Sequence, residues 1–76
     1  MKDLLEYLIN SLVDNPKKVE IVETEENGVI IFTVKADPAD MGKLIGKGGK
    51  IIRSLRSLLY ARAVKENKRI QLTLQE

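Results

Sequence analysis

The chain has 76 residues, 43% apolar and 32% charged, with neither cysteine nor histidine. That length holds one small domain with one core, and the two missing residue types remove disulfides, thiolate metal sites, the commonest general base and the commonest metal ligand. Net charge is only +2, but residues 1–40 carry four basic and nine acidic side chains while residues 41–69 carry nine basic and one acidic, the footprint of an anion-binding face.

The N-terminal stretch MKDLLEYLIN has acids inside its apolar part and does not read as a signal peptide. No apolar run approaches the roughly 20 residues of a membrane span, so the expected setting is the cytoplasm, away from any membrane. Residues 3–14 read as an amphipathic helix: Leu4, Leu5, Leu8, Ile9, Leu12 and Val13 recur on one face, Asp3 is the expected N-cap, and Asn15-Pro16 is the stop. Residues 18–25 read as a strand in which Val19 and Ile21 alternate with Glu20. Asn27-Gly28 is a hairpin signal, because a type I′ turn needs positive φ at both central positions. The run VIIFTVK, residues 29–35, is the return strand; apolar on both faces near its start, it is expected at the centre of the sheet.

Asp37-Pro38 opens a helix with a capping side chain followed by proline at the first helical position. This helix is short, with Met41, Leu44 and Ile45 inward, and Gly46 ends it. The next runs from Gly49 or Lys50 to Glu66, with Ile51, Ile52, Leu55, Leu58, Leu59 and Ala63 as its buried stripe. Arg53, Ser54, Arg56, Ser57 and Tyr60 fall largely off that stripe, and Asn67 closes the helix. Residues 69–74, RIQLTL, alternate as a half-buried strand with Ile70, Leu72 and Leu74 inward. The expected class is α+β, in the order α-β-β-α-α-β, with the helices covering one face of a three-stranded sheet.

The stretch GKLIGKGGKII, residues 42–52, begins the basic block. Its glycines and lysines suggest phosphate, but not that of a nucleotide. A P-loop needs glycine, four residues, then Gly-Lys-Ser/Thr; here Leu44 stands five residues before Gly49, and Ile51 follows Lys50. The dinucleotide fingerprint fails at Ile51, where its third glycine belongs, and that loop should follow a strand rather than a helix. What remains is a G-x-x-G loop, Gly46-Lys47-Gly48-Gly49, between two helices. Glycine at its ends lets a sugar–phosphate chain approach without meeting a Cβ, and the following helix aims its N–H groups and positive dipole end at the loop. Lys47 and Lys50 add charge, and Arg53 lies one helical turn beyond Lys50.

Gly42, the aliphatics Leu44-Ile45, the loop itself and Ile51-Ile52 beyond it together resemble the signature of the KH domain, a nucleic-acid-binding module. The element order also resembles the bacterial type II form, in which a helix and strand precede the β-α-α-β core. The resemblance thus implies one KH domain over residues 1–76, residues 1–28 forming the extension and 29–76 the core, with a three-stranded mixed sheet. Among KH proteins the small bacterial stand-alone type looks closest. It implies an RNA-binding protein, an RNA chaperone or post-transcriptional regulator linked to cell elongation and division, pairing with a second copy or with a larger Jag-type KH protein.

A KH loop clamps a single strand of about four nucleotides. Placed on this sequence, Gly46, Lys47, Gly48 and Gly49 meet the phosphates, while Lys43, Lys50 and Arg53 follow the backbone. Gly42 leaves room for a base. Ile45, Ile51 or Ile52 supply part of an aliphatic groove floor, and the resemblance puts the last strand, around Arg69–Leu72, at its border. Only Tyr7, Phe32 and Tyr60 are aromatic and none lies in the loop, which argues against bases stacked on an aromatic sheet. No catalytic group, metal or cofactor is expected; the acids of residues 20–26 read as protection of an edge strand. Three alternatives stand beside this reading: a KH fold serving as dimerisation or scaffold module, a single-stranded DNA binder, and a helix-turn-helix protein, the last opposed by the three strands.

Overall fold

The computed structural model describes Met1 to Gln75; Glu76, the last residue of the expected domain, lies outside the described residues. The elements are α1 (Lys2–Asn10), β1 (Glu20–Glu26), β2 (Val29–Lys35), α2 (Pro38–Ile45), α3 (Lys50–Lys65) and β3 (Arg69–Leu74), with short 3-10 turns at Pro16–Lys18 and Lys47–Gly49. The sheet order is β1-β2-β3, with β1 antiparallel and β3 parallel to the central β2. The hairpin turns at Asn27 and Gly28, whose φ values of 53° and 80° are the pair a type I′ turn needs. The parallel β2–β3 pair requires a crossover, and α2 and α3 supply it on one face of the sheet.

Alternation along the strands decides which side chains meet the helices. Phe32, Val34 and Leu72 are buried there, with Ile21, Ile30, Ile70 and Leu74 packed against them. The helices add Leu5 and Ile9 from α1, Met41 and Leu44 from α2, and Ile52, Leu55 and Leu59 from α3. Each fully buried side chain of this size stabilises by about 1.5–3 kcal/mol. Asp37 accepts from the N–H of Ala39 at 3.1 Å and Pro38 follows it, so α2 starts where the sequence places it. Beyond α3, Asn67 takes φ 61° and the N–H of Lys68 donates to Ala63 O at 2.8 Å, a left-handed closure that satisfies a terminal carbonyl.

The N-terminal third departs from expectation. Helix α1 ends at Asn10 rather than Asp14, and Met1, not Asp3, holds the N-cap position; Asp3 sits in the first turn, where its charge still suits the dipole. The early end has a tertiary cause. Asp40, only 2% exposed, accepts the backbone N–H of Asp14 at 3.1 Å and of Asn15 at 2.9 Å, which draws the chain off the helix axis. Residues 16–18 form a 3-10 turn, so β1 begins at Glu20 instead of 18. The stripe of α3 is also narrower than the period suggests: Leu58 is 53% exposed and faces the same hollow as Leu12, 37% exposed, where the shortened α1 no longer reaches.

Candidate nucleic-acid interface

The G-x-x-G turn is built from three glycines in backbone conformations that L-residues avoid. Gly46 has φ 75° and ψ 170°; Gly48 and Gly49 are left-handed at φ 63° and 77°. They serve different ends. A Cβ on Gly46 would lie 2.4 Å from Ile51 Cγ1 and 2.9 Å from the Ile51 backbone nitrogen, so Gly46 is required by the fold. A Cβ on Gly48 would meet nothing within 4 Å: this glycine faces open space. Arg53 reaches back from α3 and its Nη1 donates to Gly48 O at 2.7 Å, pinning the turn. No side chain caps the N-terminus of α3, so its N–H groups and positive dipole end face the turn without an internal acceptor from a cap.

Gly42 and Ile45 lie on one side of α2 and line a groove of about 430 Å³ together with Ala36, Pro38, Met41 and Gln75. A Cβ on Gly42 would meet nothing within 4 Å, so the fold does not demand glycine there. Lys35 at the end of β2 and Gln75 just past β3 complete this groove, not the Arg69–Leu72 stretch that the resemblance suggested; Arg69, Ile70 and Gln71 border a second groove at the other end of β3. Ile51 is not at the Gly42 groove either. It lines the hollow against α1 with Leu8, Leu12 and Leu58, and Ile52 is buried.

The expected cations are placed unequally. Lys43 is bonded to the Asp14 carboxylate and lies 3.8 Å from Asp40 Oδ1. The hydrogen bond that Lys43 donates to the Asp14 carboxylate is the main cause that raises its pKa, and the charges of Asp14 and Asp40 add to it, with desolvation opposing. The Asp40 carboxyl is held below its ordinary range, first by the Asp14 N–H, then by the Asn15 N–H and Lys43, with burial opposing. Lys43 is thus part of a tie between α2 and the segment after α1. Arg62 and Lys68 both approach Glu66. Among the described residues, Lys47, Lys50 and Arg69 make no ion pair, and the first two flank the open glycine turn.

Two residues escaped the sequence reading. Asp40 belongs to no motif in the sequence; Lys43 at i+3 is the one signal of its pairing. Arg56 falls off the apolar stripe of α3 by its period. It is half-buried, and its Nε and Nη2 both donate to Leu72 O on the free edge of β3, at 3.3 and 3.2 Å. Its spacing of three from Arg53 places both on one face of α3.

The family model described as "KhpA/KhpB, KH domain" matches residues 2–74. The chain belongs to this KH-domain family. Its α+β fold, with a mixed three-stranded sheet and an extra helix and strand before the β-α-α-β core, is the type II KH arrangement. Similar proteins include "RNA-binding protein KhpA" of Clostridium acetobutylicum, 49% identical over 70 residues that cover 92% of this chain and 93% of the relative. The protein of the same name in Aquifex aeolicus is 41% identical over 76 residues, covering 100% of this chain and 96% of its own. That of Oceanobacillus iheyensis is 40% identical over 74 residues, covering 97% and 99%. Among the described residues no helix is long and apolar enough to cross a membrane, and no cluster of three or more acidic residues could hold a metal ion.

Proposed function

We propose that this KH domain binds single-stranded RNA by clamping its sugar–phosphate backbone on the Gly46–Gly49 turn, without catalysis and without a cofactor. The observation that carries the reading is the pairing of an open, left-handed Gly48 with the uncapped start of α3, flanked by Lys47 and Lys50, which make no ion pair among the described residues. The relatives' name as RNA-binding proteins supports the choice of polymer. In this reading Gly46 and Ile51 hold the turn's shape, Arg53 fixes the Gly48 carbonyl so that N–H groups point outward, and Gly49 starts the helix that receives the phosphate. Lys43 acts through α2, which it fastens to Asp14. Gly42 and Ile45 line the groove that receives a base. Residues 29–76 supply the binding unit and residues 1–28 brace it. The role is that of a cytoplasmic RNA chaperone or post-transcriptional regulator linked to cell elongation.

The test is a polarisation titration of a labelled RNA with the Lys47→Asp, Gly48→Asp double variant. Aspartate tolerates left-handed backbone better than most residues, so the fold should survive while binding is lost. Unchanged affinity in a folded variant refutes the clamp. The same titration with the matching DNA oligomer separates RNA from single-stranded DNA.

One observation favours an added pairing role. The hollow between α1 and α3, lined by Leu8, Leu12, Ile51, Leu55 and Leu58, is apolar and open. It suits a second copy or a Jag-type KH partner, and pairing two weak sites raises affinity by avidity. Sedimentation of Leu58→Glu, expected to be more monomeric than the parent, tests it.

A further inference from the structure

We infer that the bound strand does not stop at the clamp but runs along the α3–β3 cleft to a second nucleotide seat against Tyr60. This extends the clamp reading and rests on it. Three stations lie in line along the edge strand. At one end Gln75 borders the groove of Gly42 and Ile45. At the middle Arg56 spans the cleft and holds Leu72 O with two of its N–H groups, leaving the other three for a ligand. At the far end is a groove of about 430 Å³ lined by Val29, Tyr60, Ala63, Val64 and Ile70.

The chemistry of the far groove fits a nucleotide rather than a purely apolar partner. Tyr60 is 40% exposed and is the aromatic that this cleft presents; Phe32 is buried in the core and Tyr7 lies on α1. Lys68 and Arg69 stand at the rim, and Arg69 makes no ion pair among the described residues. An aromatic face with adjacent cations is the usual combination for stacking a base and neutralising its phosphate. Arg53, Arg56 and Tyr60 follow one another at spacings of three and four, so they form one stripe along α3. From Lys50 to Tyr60 that stripe covers about 15 Å, room for several nucleotides beyond the clamp. The occupant proposed is therefore the continuation of the same strand.

Labelled RNAs of about four and about eight nucleotides distinguish the clamp from the extended path. For the parent protein the longer RNA should bind more tightly. Tyr60→Ala should weaken the longer one about 5- to 160-fold, the range for losing one stacked base, and leave the shorter one within about twofold. Tyr60→Phe should restore the longer one, since stacking needs the ring and not the hydroxyl. Arg69→Glu should repeat the Tyr60→Ala pattern. Equal loss on both lengths, or none on the longer, overturns the seat while leaving the clamp standing. A change in sedimentation with no change in length dependence overturns it too, in favour of a protein at that groove. If the Lys47→Asp, Gly48→Asp variant binds both RNAs normally, the clamp falls and the extension with it.

Discussion

Gly42 offers a perturbation in which stability and binding should move in opposite directions. It sits inside α2, where glycine is less favourable than alanine by about 0.8–1.0 kcal/mol. Nothing in the fold repays this: a Cβ there would meet no atom within 4 Å. Gly42→Ala should therefore stabilise the domain by about 0.8–1.0 kcal/mol, and in a chain of this size each kcal/mol raises Tm by about 4–8 °C. The new methyl projects into the groove shared with Ile45, Met41 and Gln75. If a base packs there, the methyl should weaken RNA binding slightly and Gly42→Leu strongly, by about 1–3 kcal/mol, as overpacking does elsewhere. Thermal melting by circular dichroism gives the first number and polarisation titration the second. A Gly42→Leu protein that stays folded and binds RNA like the parent would refute the claim that the groove receives a base. A Gly42→Ala protein that melts earlier would refute the claim that the site is open.

Gly46→Ala should behave oppositely, because the strained backbone and the contact with Ile51 both oppose a methyl. A loss of about 2–4 kcal/mol is expected by denaturant titration, and a loss below about 0.5 kcal/mol would show that the turn relaxes freely. Asp40 supplies a pH dependence. Its folded pKa is depressed, so its contribution is fully present above the unfolded value of about 3.9 and is lost as pH falls through the folded value. Asp40→Asn should lower Tm at neutral pH and shrink the difference from the parent below about pH 4; parallel acid limbs for the two proteins would exclude Asp40 as a source.

The elements that were legible in the sequence are those whose cause is local. Asn27-Gly28, Asp37-Pro38 and the alternating RIQLTL each set backbone geometry within a few residues, and all three fall where read. The 3.6-residue period through Leu12 and Val13 overran the helix because the N–H groups of both turn back onto Ile9 O, and Asp40, some 25 residues away, takes the next two, of Asp14 and Asn15. The same tie removes Lys43 from the set of free cations, which no spacing argument about the loop alone could detect. Within the glycine cluster the motif gave the positions. Only the geometry divides them by role, with Gly46 needed for the turn and Gly42 and Gly48 facing open space.

The basic block looked like one binding surface because charge was counted along the chain. In three dimensions much of it has partners: Lys43 with Asp14 and Asp40, Arg62 and Lys68 with Glu66, Arg53 on Gly48 O, Arg56 on Leu72 O. Among the described residues Lys47 and Lys50 make no ion pair, and they flank the turn with the start of α3 beside them. The salt dependence of RNA binding separates the two views. Each phosphate neutralised on a single strand contributes about −0.7 to the log–log slope, so a clamp engaging three or four phosphates gives about −2 to −3 on a short oligomer. Engagement of all nine cations of the block would give about −6. A slope near −6 would mean that the ion pairs yield to RNA and that the whole helix face binds; a flat slope would remove the phosphate clamp itself. The variant Lys47→Ala refines the test, since it should reduce the slope by about 0.7, whereas Lys43→Ala should leave the slope unchanged and lower stability instead.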